Sequence, residues 1–155
     1  MEPEAILTAR SINAFYGKAQ VIHDLSIEVQ PGQIVALVGR NGAGKSTLMK
    51  ALCGLVSTRS GSIKYLGEEI RGLRTYKIAR RGMAFVPENR QIFPNLTTSE
   101  NLAVGAISCP KGQFSFDNVY DIFPALSLKR NTLGQNLSGG EQQMLAISRA
   151  LVTNP

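Results

Sequence analysis

Tryptophan is absent from the 155 residues, histidine occurs once, cysteine twice, and aromatic residues make up only 6%. The two cysteines, Cys53 in an aliphatic run and Cys109 beside Pro110, have neither the CxxC spacing of a metal site nor the density of a disulfide framework, and both are read as reduced thiols. Long apolar stretches are missing too. Runs such as Ile34 to Val38 fall far short of the ~20 apolar residues that cross a bilayer, so no membrane span is expected. The start, Met1-Glu2-Pro3-Glu4, is acidic where a secretory leader would be basic, and a cytosolic protein is expected. Charge is sparse at 18% against 43% hydrophobic residues, a balance that collapses around a core and excludes disorder. A chain of this length holds one domain.

The net charge is +6, which would suit a nucleic-acid or anionic-membrane partner. The one basic cluster, Arg71, Arg74, Lys77, Arg80 and Arg81, lacks interleaved stacking aromatics, and a solvated helix face accounts for it better than nucleic acid does. Along the chain, Ile6 to Gln30 alternates in the manner of antiparallel strands and closes at Pro31-Gly32. Ile34 to Val38 is a continuous β-branched run, expected as a central strand buried on both faces. A glycine-rich turn follows, then a helix from Lys45 that Gly54 terminates. A hairpin is expected about Gly67, a short helix over residues 75–81, and a second buried strand at Met83 to Val86. Thr97 and Glu100 have capping-box spacing and open a helix through Ala106. Further helices are expected near Asn118 to Phe123 and from about Glu141 to Val152.

Gly39-Arg40-Asn41-Gly42-Ala43-Gly44-Lys45-Ser46 fits G-x-x-x-x-G-K-[ST] without a mismatch. From ordinary residue frequencies such a match arises by accident in roughly one chain in two hundred of this length. Placed between a strand and a helix, it suits a loop whose N–H groups and following helix N-terminus hold phosphate oxygens. Lys45 would reach the β- and γ-phosphates, and the Ser46 hydroxyl would ligate Mg²⁺. A plain β-turn-α connection is the bland alternative.

Leu137-Ser138-Gly139-Gly140-Glu141-Gln142 precedes the last helix, and Ser138 with Glu141 again has capping-box spacing. Two glycines in a first turn cost up to ~1 kcal/mol each, which argues that another group must come close to the backbone. A second anion site fits. With Gln143 to Leu151 following, the segment resembles the signature motif of ATP-binding cassette (ABC) proteins, and the resemblance covers nearly the whole chain. It implies an α/β fold: a P-loop NTPase (ABC ATPase) core with an N-terminal antiparallel β portion and a helical subdomain, the C-terminal part of the core missing. The divisions expected are residues 1–96 for the β portion and P-loop core, 97–138 for the helical subdomain and 139–155 for the signature helix.

The resemblance also implies site residues. ATP and Mg²⁺ would be held by Gly39, Asn41, Gly42, Ala43, Gly44, Lys45, Ser46 and Thr47, the last near the α-phosphate. Tyr16 matches the aromatic that stacks on adenine, with strand packing as its rival reading. Ser138, Gly139 and Gly140 would contact a γ-phosphate in trans, in a head-to-tail dimer with a second ABC ATPase subunit. Glu88 stands where most members have the Mg²⁺-ligating Gln; a solvated loop residue is its alternative. The family's metal-holding Asp, general-base Glu and γ-phosphate-sensing His are not visible. The aspartates are Asp24, Asp117 and Asp121, none of them after an aliphatic strand, and His23 precedes the phosphate loop. Catalytic residues are therefore expected outside these 155, which should bind MgATP without turning it over. The segment Val86 to Thr97 looks most like the ATPase of branched-chain amino-acid importers, with urea importers as the close rival; such a subunit lies on the cytoplasmic face of the membrane against permease subunits. A soluble cassette protein in translation or DNA repair, and a small P-loop kinase, are the readings from other classes.

Overall fold

Two alternating runs joined through Gly17 become an antiparallel pair, β1 (Leu7–Tyr16) and β2 (Ala19–Val29), in the computed structural model, which describes residues 4–107 and 114–155. The inward residues of β1 are Ala9, Ile12 and Ala14, a spacing that strict alternation cannot keep on one face. A bulge resolves the mismatch. The register slips between Ala9 and Ile12, Ser11 takes φ 48°, and the Asn13 amide fixes the kink by donating to the Ser11 carbonyl and Ser60 Oγ and accepting from the Asp24 N–H. The hairpin expected about Gly67 forms as β3 (Ser57–Tyr65) and β4 (Glu68–Glu69), giving a four-stranded antiparallel sheet in the order β2-β1-β3-β4. Helix α1 (Lys45–Leu52) packs on β1, β2 and β3 through its buried Leu48, Ala51 and Leu52. Cys53 is buried just beyond it, and that burial pushes its thiol pKa up to about 11. The short α2 spans Thr75–Ala79.

The chain divides into two units, Met1–Ile78 and Ala79–Pro155. The second is helical: α3 (Thr98–Ala106), α4 (Phe116–Ile122), α5 (Pro124–Ser127), a 3-10 turn at Gly134–Asn136, and α6 (Gly139–Leu151). Its core joins Leu102 of α3, Val119 and Tyr120 of α4, Leu126 of α5 and Leu145 of α6, with Leu137 and Val152 flanking α6. Truncating a residue as enclosed as Leu145 to alanine costs about 2–5 kcal/mol. Three of the helices open on reciprocal capping boxes, Thr97 with Glu100, Ser115 with Asn118 and Ser138 with Glu141.

Two expectations fail. Neither Ile34 to Val38 nor Met83 to Val86 joins a ladder among the described residues, and no parallel pair forms. Ile34 and Val38 are 96% and 93% exposed instead of buried on both faces. A continuous apolar run carries β propensity, but a strand exists only through a hydrogen-bonded neighbour, and the sheet pairs its members among themselves. Helix boundaries shift as well: α4 begins at Phe116 because Ser115 caps it, and α6 begins at Gly139, so both glycines lie within its first turn. The reading of Cys109 lies outside the described residues.

Candidate functional site

The loop from Gly39 to Gly44 turns onto α1 by way of two left-handed glycines, Gly42 at φ 82° and Gly44 at φ 92°, a region costing other residues ~1–2 kcal/mol. Gly44 also has little room, since a methyl group there would stand 3.0 Å from Ile22 Cδ1 of β2. This seats the loop against the sheet. Unlike the three boxed helices, α1 has no side-chain cap and no acidic residue in its first turn, so no carboxylate of that turn offsets the positive end of its dipole. The Lys45 ammonium folds back over the loop and donates to the Gly39 and Arg40 carbonyls, each at 2.8 Å. Those bonds hold a cation above exposed loop residues, Asn41, Gly42 and Ala43 among them. Ser46 and Thr47 occupy the next positions of α1, half-buried. The site fits the phosphate groups of a nucleotide.

Tyr16 ends β1 about half exposed. It lies two residues beyond Ala14, the partner of Ile22 on which Gly44 packs, so strand pairing carries it toward the phosphate loop's end of the sheet. Arg59 steadies the adjoining turn, its guanidinium over the Phe15 ring at 4.2 Å and bonded to the Gly17 carbonyl. His23 is an exposed residue of β2.

In the second unit Ser138, Gly139 and Gly140 are exposed at the start of α6. Ser138 Oγ accepts from the Glu141 N–H at 3.3 Å while the Ser138 N–H donates to Glu141 Oε2 at 2.8 Å. Glu141 also meets Lys129 Nζ at 2.8 Å, and the Lys129 bond, then those to Ser138, hold its carboxyl pKa down to about 2. Glu88 is exposed in a turn closed by the Arg90 N–H on the Pro87 carbonyl at 3.0 Å. Sequence reasoning passed over Asn101, Arg90, Gln142 and Arg149, which tie residues 90–97 to the helices. A buried Asn in an apolar helix face was the one available signal.

The family model for ABC transporter matches residues 22–155. The chain belongs to the ABC transporter family. Among ABC relatives, the high-affinity branched-chain amino acid transport ATP-binding protein BraG of Pseudomonas aeruginosa is 47% identical over 152 residues, covering 97% of this chain and 65% of its own length. The probable branched-chain amino acid transport ATP-binding protein LivF of Archaeoglobus fulgidus is 36% identical, over 95% of this chain and 63% of its own. The lipopolysaccharide export system ATP-binding protein LptB of Escherichia coli K12 is 34% identical, with 97% and 64% covered. The chain thus spans just under two thirds of the length of these relatives. A solved ATP binding subunit of an ABC transporter is similar at TM-score 0.78 and 28% identity, covering 97% of this chain and 63% of that one. The ADP conformation of another ABC cassette gives TM-score 0.80 at 25%, covering 98% and 66%. The α/β cassette fold and the family expected from residues 39–46 and 137–142 are both borne out.

Proposed function

We propose that the chain is the ATP-binding part of an ABC transporter subunit that hydrolyses ATP to import a small solute, a branched-chain amino acid. The carrying observation is the open phosphate loop, with Lys45 held over two left-handed glycines and an uncapped helix behind it. The solute class rests on the likeness to BraG and, at lower identity, LivF; urea import is the rival within the same reading. Likeness to the lipopolysaccharide exporter LptB is weaker than to BraG.

Bound MgATP supplies the phosphoanhydride and, through its metal, charge neutralisation. The chain's own part is to orient it. Lys45 turns its donors from the loop carbonyls to phosphate oxygens, α1 presents its first N–H groups, and Tyr16 offers a ring to the base. The Ser46 hydroxyl and the Glu88 carboxylate are the residues assigned to Mg²⁺, a metal that keeps most of its coordination for water and phosphate. Ser138, Gly139 and Gly140 close on nucleotide held by a second ABC ATPase subunit. Residues 88–102 contact a membrane permease, with the 40% exposed Phe93 as anchor. Asp24 lies in β2, and Asp117 and Asp121 in α4. For these 155 residues taken alone, the reading is MgATP binding without turnover.

A cysteine in place of Asn95 tests the transporter reading by cross-linking in native membranes. Capture of an integral-membrane protein is expected; capture of ribosomes or DNA alone would favour the soluble class. Phosphate release by the 155 residues should run no faster than in a Lys45→Ala control. Release clearly above that control contradicts the binding-only assignment.

A further inference from the structure

The loop between Pro87 and Thr97 is held to α6 at both ends of the helix. Near the start, Arg90 Nη1 donates to Gln142 Oε1 at 3.1 Å, and its other amino group, Nη2, stands beside the signature. A methyl group on Gly139 would stand 3.3 Å from Arg90 Nη2 and 3.7 Å from Cζ. Gln142 Nε2 donates onward to the Gly134 carbonyl at 3.1 Å. Gly134 in turn packs on the loop, where an added methyl would meet the Phe93 carbonyl at 2.8 Å, and its N–H donates to the Leu96 carbonyl at 2.9 Å. The circuit closes on itself. Near the end of α6, Arg149 Nη1 donates to the Gln91 carbonyl at 2.6 Å and its guanidinium covers the Phe93 ring at 4.5 Å.

Backbone conformation makes this reach possible. Arg90 and Gln91 are consecutive non-glycine residues with left-handed φ, 62° and 49°, a pairing that persists only where surrounding contacts impose it. The contacts here include the two arginine attachments, together with the Arg90 N–H on the Pro87 carbonyl at 3.0 Å and the Gln91 N–H on the Asn89 carbonyl at 2.6 Å.

We propose that Arg90 is a positioning residue for the signature segment: packed on Gly139 and bonded to Gln142, it fixes the first turn of α6 in the attitude that meets nucleotide. Arg149 supports it by holding the loop at Gln91. The proposal rests on Ser138 to Gly140 being the surface that closes on ATP. A guanidinium suits the task because its rigid fork sets Nη2 against a residue without a side chain while Nη1 donates to Gln142. An ammonium does the second only.

The test uses the full-length protein with Arg90→Ala, Arg90→Lys, Gln142→Ala and the Arg90→Ala/Gln142→Ala pair, read by amide hydrogen exchange and by ATPase kinetics. In Arg90→Ala the backbone N–H of Gln142, bonded to the Ser138 carbonyl, should exchange about ten-fold faster as the first turn loosens by the worth of one hydrogen bond to a charged group. By the same measure kcat should fall about ten-fold while affinity for a fluorescent ATP analogue stays within about two-fold. Arg90→Lys should recover less than half of the kcat, and the double variant should be no worse than the worse single one. Should Arg90→Ala fail to fold, Arg90→Lys and Gln142→Ala decide alone. Unchanged exchange at Gln142, unchanged kcat, full recovery with lysine, or losses that multiply in the pair each overturn the proposal. Failure of the nucleotide reading shows separately, as a Lys45→Ala protein that binds the analogue as well as wild type.

Discussion

Asn101 sits fully buried in α3 and has a partner for every polar group it owns. Its Oδ1 accepts from the Phe93 N–H at 2.9 Å, and its Nδ2 donates to the carbonyls of Phe93, Leu96 and Thr97 at 3.0–3.1 Å. Asn101→Leu keeps the volume and strands these groups, so a loss of about 2–4 kcal/mol in urea unfolding is expected. A loss under about 0.5 kcal/mol, the level of an ordinary surface change, would contradict that role. Gln91 offers the opposite case. Gln91→Gly relieves the left-handed backbone and should be neutral or stabilising by up to ~1 kcal/mol, whereas Gln91→Val should destabilise by more than ~1 kcal/mol. Residues of this kind were illegible beforehand, because the partners of Asn101, Arg90 and Arg149 lie 4 to 58 positions away. The left-handed turn at Gly42 and Gly44 was legible because the Gly39 to Ser46 motif writes its geometry into eight consecutive residues.

At the scale of elements, local chemistry carried over wherever an element is completed locally. Thr97 with Glu100 and Ser138 with Glu141 form the boxes their spacing announces; Ser115 with Asn118 forms one that uses Asn in place of Glu or Gln and so escaped notice. The two apolar runs failed for the converse reason, since a strand is completed by a partner that the run itself does not contain. The box at α6 predicts a pH dependence. The Glu141 pKa falls from 4.5 to about 2 on folding, chiefly through its Lys129 bond. Its contribution is therefore present above pH 4.5 and lost as pH drops through about 2. Acid unfolding monitored over that window should be shallower in Glu141→Gln than in the parent, and parallel curves would refute the linkage.

For the molecule as a whole, Ile34 and Val38 stand almost fully exposed beside a phosphate loop that is otherwise well formed. Apolar surface of this kind invites association. Val38→Ser should accordingly leave the melting temperature of the 155 residues unchanged and raise their solubility; a lowered melting temperature would place Val38 in a packed core after all. The proposed nucleotide site does not wait on that surface, because Lys45, Gly44 and α1 are held by β1 to β3 within the first unit. The most direct measurement is a titration of a fluorescent ATP analogue into the 155-residue chain and its Lys45→Ala variant. Removing the Lys45 donors should cost about 1.5–3 kcal/mol and weaken binding roughly ten- to a hundred-fold. Equal affinities would contradict the assignment of the Gly39 to Ser46 loop as the ATP site.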